Sequence, residues 1–164
     1  MNVKEIKISV IPSTVANRFV KKYHYSGKVC SNSQLHFGAF YNDVLHGVMS
    51  FGASMDKNRM VKLVSGTGFN EFLELNRMAF DDFLCKNSES RCISIAIKLI
   101  KKNAPHIKWI VSFADGCQCG DGTIYRASGF KLIGIKKNTT MLKLKNGKII
   151  SKKALDNNQI NGVS

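Results

Sequence analysis

Ser88-Glu-Ser-Arg-Cys-Ile-Ser-Ile-Ala-Ile-Lys-Leu-Ile-Lys-Lys-Asn103, followed after Pro105 by Ile107-Lys-Trp-Ile-Val-Ser-Phe113, is where the architecture declares itself. In the first part, Cys92, Ile93, Ala96, Ile97 and Ile100 recur at the three- and four-residue spacing of one helical face, which predicts an amphipathic helix over 88–103. Ser88 is the expected cap; Lys98, Lys101 and Lys102 suit the negative end of the helix dipole, and Asn103 with Pro105 ends the helix. The second part is almost wholly apolar and rich in β-branched residues, as expected of a central strand buried on both faces. A helix that feeds such a strand belongs to a βαβα arrangement, whose ligands sit beyond the carboxyl ends of the strands.

Working outward, residues 72–80 read as the preceding strand. Two β-prone runs, 35–40 and 45–51, flank the polar turn Tyr41-Asn42-Asp43-Val44 and predict a hairpin. Ile6, Ile8 and Val10 alternate in a first strand over 5–11, which Pro12 stops. A helix follows, capped by Ser13 or Thr14 and carrying Val15, Phe19 and Val20 on its apolar face, until Tyr23-His24-Tyr25-Ser26-Gly27 breaks it. Residues 52–70 show no period and read as a flexible segment over a site or a long connection. Downstream come a glycine-rich turn (114–122), a short helix (122–128) closed by Gly129, and a strand (130–135). A last hairpin (139–145 and 148–152) turns at Asn146-Gly147, and residues 154–164 form a polar tail expected to fray. The fold class is therefore α/β: a mixed, mostly antiparallel sheet flanked by helices, with residues 1–153 as a single domain and no internal repeat.

A chain of 164 residues with 44% hydrophobic content can build one real core. Lys and Arg outnumber Asp and Glu by 25 to 11, so a broad positive field covers the surface and nucleic acid is the natural partner. An acidic membrane is the weaker reading, because neither an amphipathic terminal helix nor a lipidation signal is present. No apolar run of about 18 residues is found and Met1 to Lys7 is unlike a signal peptide, so a soluble, cytoplasmic protein is expected. Cys30, Cys85, Cys92, Cys117 and Cys119 form no CxxC pair, which argues for reduced thiols. Cys117-Gln-Cys119 reads as two thiols in preference to a metal or redox pair.

The strand over 72–80, the helix opening at Ser88, the strand over 107–113 and the ending Tyr125-Arg126-Ala127-Ser128-Gly129-Phe130 together resemble the GNAT N-acyltransferase fold. Lys22-Tyr23-His24-Tyr25-Ser26-Gly27, Glu74-Leu75-Asn76-Arg77-Met78-Ala79-Phe80, Asn87-Ser88-Glu89-Ser90-Arg91 and the run 112–130 are similar to the Mom family of phage proteins, over about residues 15–137. The resemblance implies a transferase that places a carbamoylmethyl (acetamido-type) group on N6 of adenine in double-stranded DNA, shielding phage DNA from host restriction in the host cytoplasm. It implies His24, Arg77, Ser90, Asp115 and Tyr125 as site residues. One departure concerns the donor. Acetyl-CoA-using relatives carry a glycine-rich pyrophosphate loop at the junction that here reads Lys86-Asn87-Ser88-Glu89-Ser90-Arg91, without glycine. The donor therefore stands open between acetyl-CoA and a charged tRNA, which would then be a second nucleic-acid partner. Iron is a further suggestion from the family, and a homodimer is left open.

The adenine amino group is delocalised into its ring, so a catalyst must remove a proton as the new bond forms and stabilise charge on the donor. Asp115, directly after the apolar strand, reads as the base, as a group holding the adenine edge, or as a turn residue. Tyr125 reads as the acid for the leaving group, or as a core tyrosine. His24 between Tyr23 and Tyr25 suits stacking on an extruded base or a metal; a surface-loop histidine is the plain alternative. Arg77, in an apolar strand, needs an anion: a phosphate, or a carboxylate such as Glu74 or Asp81. Ser88, Ser90 and Arg91 either bind donor or substrate anions or simply begin a helix. Lys131, Lys136, Lys137, Lys143, Lys145, Lys148, Lys152 and Lys153 would grip DNA phosphates, or protect a sheet edge. Two rival functions stay in view: a non-catalytic basic nucleic-acid binder, and an acetyl-CoA-dependent N-acetyltransferase of another amine.

Overall fold

The computed structural model describes residues 1–114 and 122–135, together with the backbone of two short strands at 141–143 and 149–151. The chain forms two units, Met1–Lys131 and Leu132–Ser164. The first holds a five-stranded sheet of β1 (Lys7–Val10), β2 (Ser33–Tyr41), β3 (Val44–Gly52), β4 (Phe72–Phe80) and β5 (Trp109–Val111), in that spatial order. Neighbours from β1 to β4 pair antiparallel and β5 runs parallel to β4, giving the mixed, mostly antiparallel α/β sheet expected. Its helices are α1 (Ser13–Tyr23), α2 (Lys57–Met60), α3 (Ser88–Asn103) and α4 (Thr123–Ala127). In the second unit, β6 (Met141–Lys143) pairs antiparallel with β7 (Ile149–Ser151), as the expected last hairpin; its turn and the tail from 154 lie outside the described residues.

Asn42 and Asp43 link β2 to β3 with φ of 48° and 64°. Two successive left-handed residues make the tight turn whose twist matches that of the flanking strands, and Asn and Asp tolerate it best after glycine. The hairpin so fixed puts β3 at the centre. On one face Met49 and Phe51 join Phe37, Ala39 and Leu75 against Cys92, Ile93, Ala96 and Ile100 of α3. On the other, Val48 and Ala79 pack beneath Ala16, Phe19 and Val20 of α1. The alternation of Val48, Met49 and Phe51 between the two layers is the two-residue period of a strand.

The strand buried on both faces is thus β3, not the run 107–113. Only three residues of that run pair, at the end of the described sheet, with Trp109 and Ile110 half-buried and Phe113 62% exposed. Apolar composition reports what lies above and below a pleat, not a strand's lateral position. His46 and Ser50 hid the true centre by interrupting the apolar run of β3; both are buried and hydrogen-bonded, to Asp81 and His36.

Two caps also differ. Pro12 precedes α1 with no side-chain cap, and Asn87, at φ 70°, precedes α3 while Ser88 is buried within the fold. The boundaries of α3 and β4 are as expected, and Gly129, at φ 94°, closes α4. Residues 130–135 form no strand. Among the described residues no helix is long and apolar enough to cross a membrane. Phe51→Ala is expected to cost about 3–5 kcal/mol in urea denaturation, against under about 0.5 kcal/mol for Val10→Ala at the exposed edge. Equal effects would contradict this placement of the core.

Candidate active site

One irregularity of β4 organises the polar groups of the sheet. Met78 pairs with Met49 and Arg77 with Ser50, but Leu75, not Asn76, pairs with Phe51. Asn76 is therefore an extra residue, a β-bulge, which bends the strand and re-aims its side chains. The ladder between β4 and β5 stops just before it, at Glu74 and Val111. Beyond that point Ser112 reaches β4 through its hydroxyl, which donates to the Leu75 carbonyl at 3.4 Å. The strands part at the bulge.

The bulge is held from its side chain. Asn76 Nδ2 donates to the Ala53 carbonyl at 3.3 Å and to the Glu74 carboxylate, and Asn76 Oδ1 accepts from Ser33 Oγ at 3.3 Å. Gly52 makes this fit possible: a Cβ there would fall 1.8 Å from the Asn32 carbonyl oxygen, so only glycine lets the connection from α1 lie against the end of β3.

Arg77 follows the bulge, opposite Ser50. Its Nε donates to the Lys28 carbonyl at 3.1 Å and its Nη1 to the Asn76 carbonyl at 2.9 Å. Asp81 is bound to His46 at 2.8 Å and Glu74 to Asn76, so neither carboxylate forms an ion pair with Arg77. Among the described residues two backbone oxygens orient the guanidinium and no carboxylate pairs with it, so its charge suits an anion.

His24 closes α1, its N–H bonded to the Val20 carbonyl at 2.9 Å. Its Nδ1 accepts from the Ser26 amide at 3.2 Å and lies 2.8 Å from Ser26 Oγ, which places the proton of the neutral ring on Nε2. Burial and then the Arg77 charge hold its pKa below the usual 6.5. The Tyr25 ring lies 4.3 Å from the imidazole, while Tyr23 packs back on Phe19. Behind Arg77, His36 Nδ1 meets Ser50 Oγ at 2.7 Å, both side chains buried. His36, Ser50 and Arg77 thus form a polar file across three strands.

Glu74 is the group that reading the sequence passed over as a site residue. Burial raises its pKa above 4.5, against the opposing pull of the Asn76 hydrogen bond and the Arg77 charge. A half-buried carboxylate with a raised pKa beside a cation marks a candidate proton acceptor. Its only mark in the sequence was a charged residue inside an apolar strand.

At the N-terminus of α3 the side chains turn to the protein itself. Ser88 is 1% exposed and faces Cys85, Ser90 Oγ donates to the Asn87 carbonyl, and Arg91 Nε to the Val3 carbonyl. Glu89 occupies the first turn, its pKa raised by burial and by Asp82. With no glycine and an acid at this end, the junction does not fit the backbone cradle a pyrophosphate needs. Ser128 beside α4 donates to the Ser90 carbonyl, and Tyr125 packs on Phe130 at 5.6 Å against the core layer that includes α3. His24, Tyr25 and Arg77 are thus gathered at the bulge, whereas Ser88, Ser90, Arg91 and Tyr125 belong to the α3 side.

Asp115, Cys117, Cys119, Lys136, Lys137, Lys145, Lys148, Lys152 and Lys153 lie outside the described residues, as does the side chain of Lys143; Lys131 is exposed. The described cysteines, Cys30, Cys85 and Cys92, are free, and burial pushes the Cys92 thiol up to about 12. Among the described residues no three His, Cys, Asp or Glu side chains converge as a metal site would need. A surface hollow bordered by Lys7, Ile8, Ser9, Phe40 and Asp43 contains none of these site residues.

A bulged β4 that parts from a parallel β5, with α1 and α3 on opposite faces, is the frame of the GNAT acyltransferase fold. Solved structures share it: a possible acetyltransferase from Clostridium difficile 630 (TM-score 0.56, 10% identity, 81% of this chain and 95% of that one). Another is the aminoglycoside acetyltransferase AAC(6')-Ib in complex with coenzyme A and kanamycin (TM-score 0.52, 9% identity, 94% and 99% covered). Within that fold the chain belongs to the Mom protein family, matching it over residues 5–164. It is 38% identical over 137 residues to the methylcarbamoylase Mom of Escherichia phage Mu, which is 83% of this chain and 56% of that protein. The chain thus spans little more than half the length of that relative, and the resemblance read from the motifs is borne out.

Because the folded pKa of His24 lies below its unfolded value, its contribution to stability is fully present above about pH 6.5 and is lost as pH falls through the folded value. An NMR titration of Arg77→Gln is expected to show the His24 pKa rising toward 6.5, with burial retaining part of the depression. An unchanged value would mean that Arg77 does not face the ring.

Proposed function

We propose that the chain is a DNA-modifying transferase that places a carbamoylmethyl (acetamido-type) group on N6 of adenine in double-stranded DNA. The observation that carries this reading is the juxtaposition, at the parted strands of a Mom-family chain with net charge +14, of a carboxylate raised in pKa with an arginine that makes no ion pair among the described residues. Proton acceptor and anion site stand next to each other, which is what transfer to a weakly nucleophilic amine requires.

In this mechanism the extruded adenine lies against Tyr25 and His24, whose Nε2–H donates to it. Glu74 takes the N6 proton as N6 bonds to the donor carbon. The bond from that carbon to the leaving group breaks, and the leaving group keeps the electron pair and takes a proton from water. Arg77 stabilises the negative charge that develops on the donor. Asp115 holds the adenine edge, and the lysines from Lys131 onward grip phosphates without reading sequence.

A donor that delivers a carbamoylmethyl group in one displacement must carry its leaving group on the CH2 of a CH2–CO–NH2 unit; relatives in fold were solved with coenzyme A, which makes a CoA-linked carrier of that unit the first candidate and a charged tRNA the second. Since the α3 junction lacks the cradle for a pyrophosphate, no step above depends on CoA.

Nucleosides from bacteria expressing the protein, weighed by mass spectrometry, test the assignment. The wild type is expected to yield a heavier deoxyadenosine, and Glu74→Gln to reduce it about 10²–10⁴-fold while retaining the wild-type circular dichroism. Full modification by Glu74→Gln with loss in Asp115→Asn would move the base to Asp115. Unmodified DNA from folded wild-type protein would leave the non-catalytic binder standing.

A further inference from the structure

The connection between β3 and β4 is absorbed by none of the roles above. It leaves Ala53, whose carbonyl holds Asn76 in the bulge, and two residues later presents Met55 to solvent at 84% exposure. Two residues of chain reach at most about 7 Å, so Met55 stands at the rim of the site. Its side chain joins neither hydrophobic cluster. Between Ala53 and Met55 lies Ser54, 5% exposed, whose hydroxyl finds no hydrogen-bond partner among the described residues. An exposed apolar tip beside an unsatisfied buried hydroxyl marks a surface completed by something else.

The segment is braced rather than loose. Asp56 caps α2 by accepting from the Arg59 amide at 3.2 Å, and Lys57 Nζ bonds Asn70 Oδ1 at 3.2 Å while lying over the Phe69 ring. Trp109 Nε1 ties the far end through Thr67 Oγ1 at 3.0 Å. Arg59 and Lys62 point outward, and neither makes an ion pair among the described residues. A rigid apolar tip flanked by free cations matches duplex DNA in charge and in shape, since a base leaves the stack more readily when an apolar wedge enters it.

We propose that this connection opens the duplex, with Met55 entering the stack where the adenine leaves and Arg59 and Lys62 holding the flanking phosphates. The inference rests on the DNA-adenine reading above and deepens it.

The test uses the full chain and a duplex oligonucleotide with 2-aminopurine at the target adenine, whose fluorescence rises on unstacking. The wild type is expected to raise the signal severalfold. Met55→Ala should lose most of that rise while binding the duplex within about 3-fold of wild type, since phosphate contacts supply most of the affinity. Met55→Leu, which keeps an apolar tip, should restore it. In cells, Met55→Ala should lower deoxyadenosine modification at least about 10-fold, with an unchanged thermal melt. A wild type that binds without raising fluorescence, or a Met55→Ala variant that raises it fully, overturns the wedge. Because modification by the wild type is scored separately, failure of the wedge leaves the transferase reading intact, and absence of modification strikes that reading itself.

Discussion

One extra residue in β4 sets the geometry on which everything else depends. Asn76 breaks the register with β3, and its amide side chain ties together three pieces of chain: Ser33 after α1, Ala53 after β3 and Glu74 within β4. Bulges end pairing and turn side chains, and here pairing with β5 ends two residues earlier, at Glu74. Without the bulge, period-two alternation would carry Arg77 to the face of Leu75 and Met78's layer, against α3 and away from His24. Gly52 completes the constraint by admitting the Asn32 carbonyl where any side chain would collide.

The two faces of the sheet divide the work. The α3 face is packed with apolar side chains, which supplies the rigidity that precise placement requires. The α1 face mixes apolar contacts with the file of His36, Ser50 and Arg77, each hydrogen-bonded and none paired with a carboxylate among the described residues. Such a file costs desolvation unless fully satisfied, and its charge is then available at the surface. His24 and Glu74 feel that charge in the same sense: each pKa is lowered by it, while burial depresses the histidine further and lifts the carboxyl.

Most of the secondary structure was legible because strong periodicity coincided with clear stops. The α3 stripe and the β4 run were read to their ends, and the tight hairpin was visible in Asn42 and Asp43. The order of strands was not legible. A paired, buried His46 or Ser50 looks in sequence like a surface residue, so β3 was undervalued and β5 overvalued. His24 and Arg77 were marked as site residues by motif, but their proximity arises from a bulge, and one inserted residue leaves no periodic signal. In the sequence Glu74 stood only as one carboxylate within reach of Arg77; that Asn76 claims it, and burial lifts it, needed the fold. Asp115 and most of the C-terminal lysines lie outside the described residues; Asp115 was marked by the motif resemblance and its place after an apolar strand, the lysines by their crowded charge.

Where a DNA adenine meets this protein is the question that most directly tests the account. A duplex carrying photoreactive 8-azidoadenine, irradiated with the full chain and mapped by peptide mass spectrometry, should attach to residues 24–28 and 74–77, the two segments that Arg77 joins. Attachment confined to the hollow at Lys7, Ser9 and Asp43, with neither segment labelled, would contradict it.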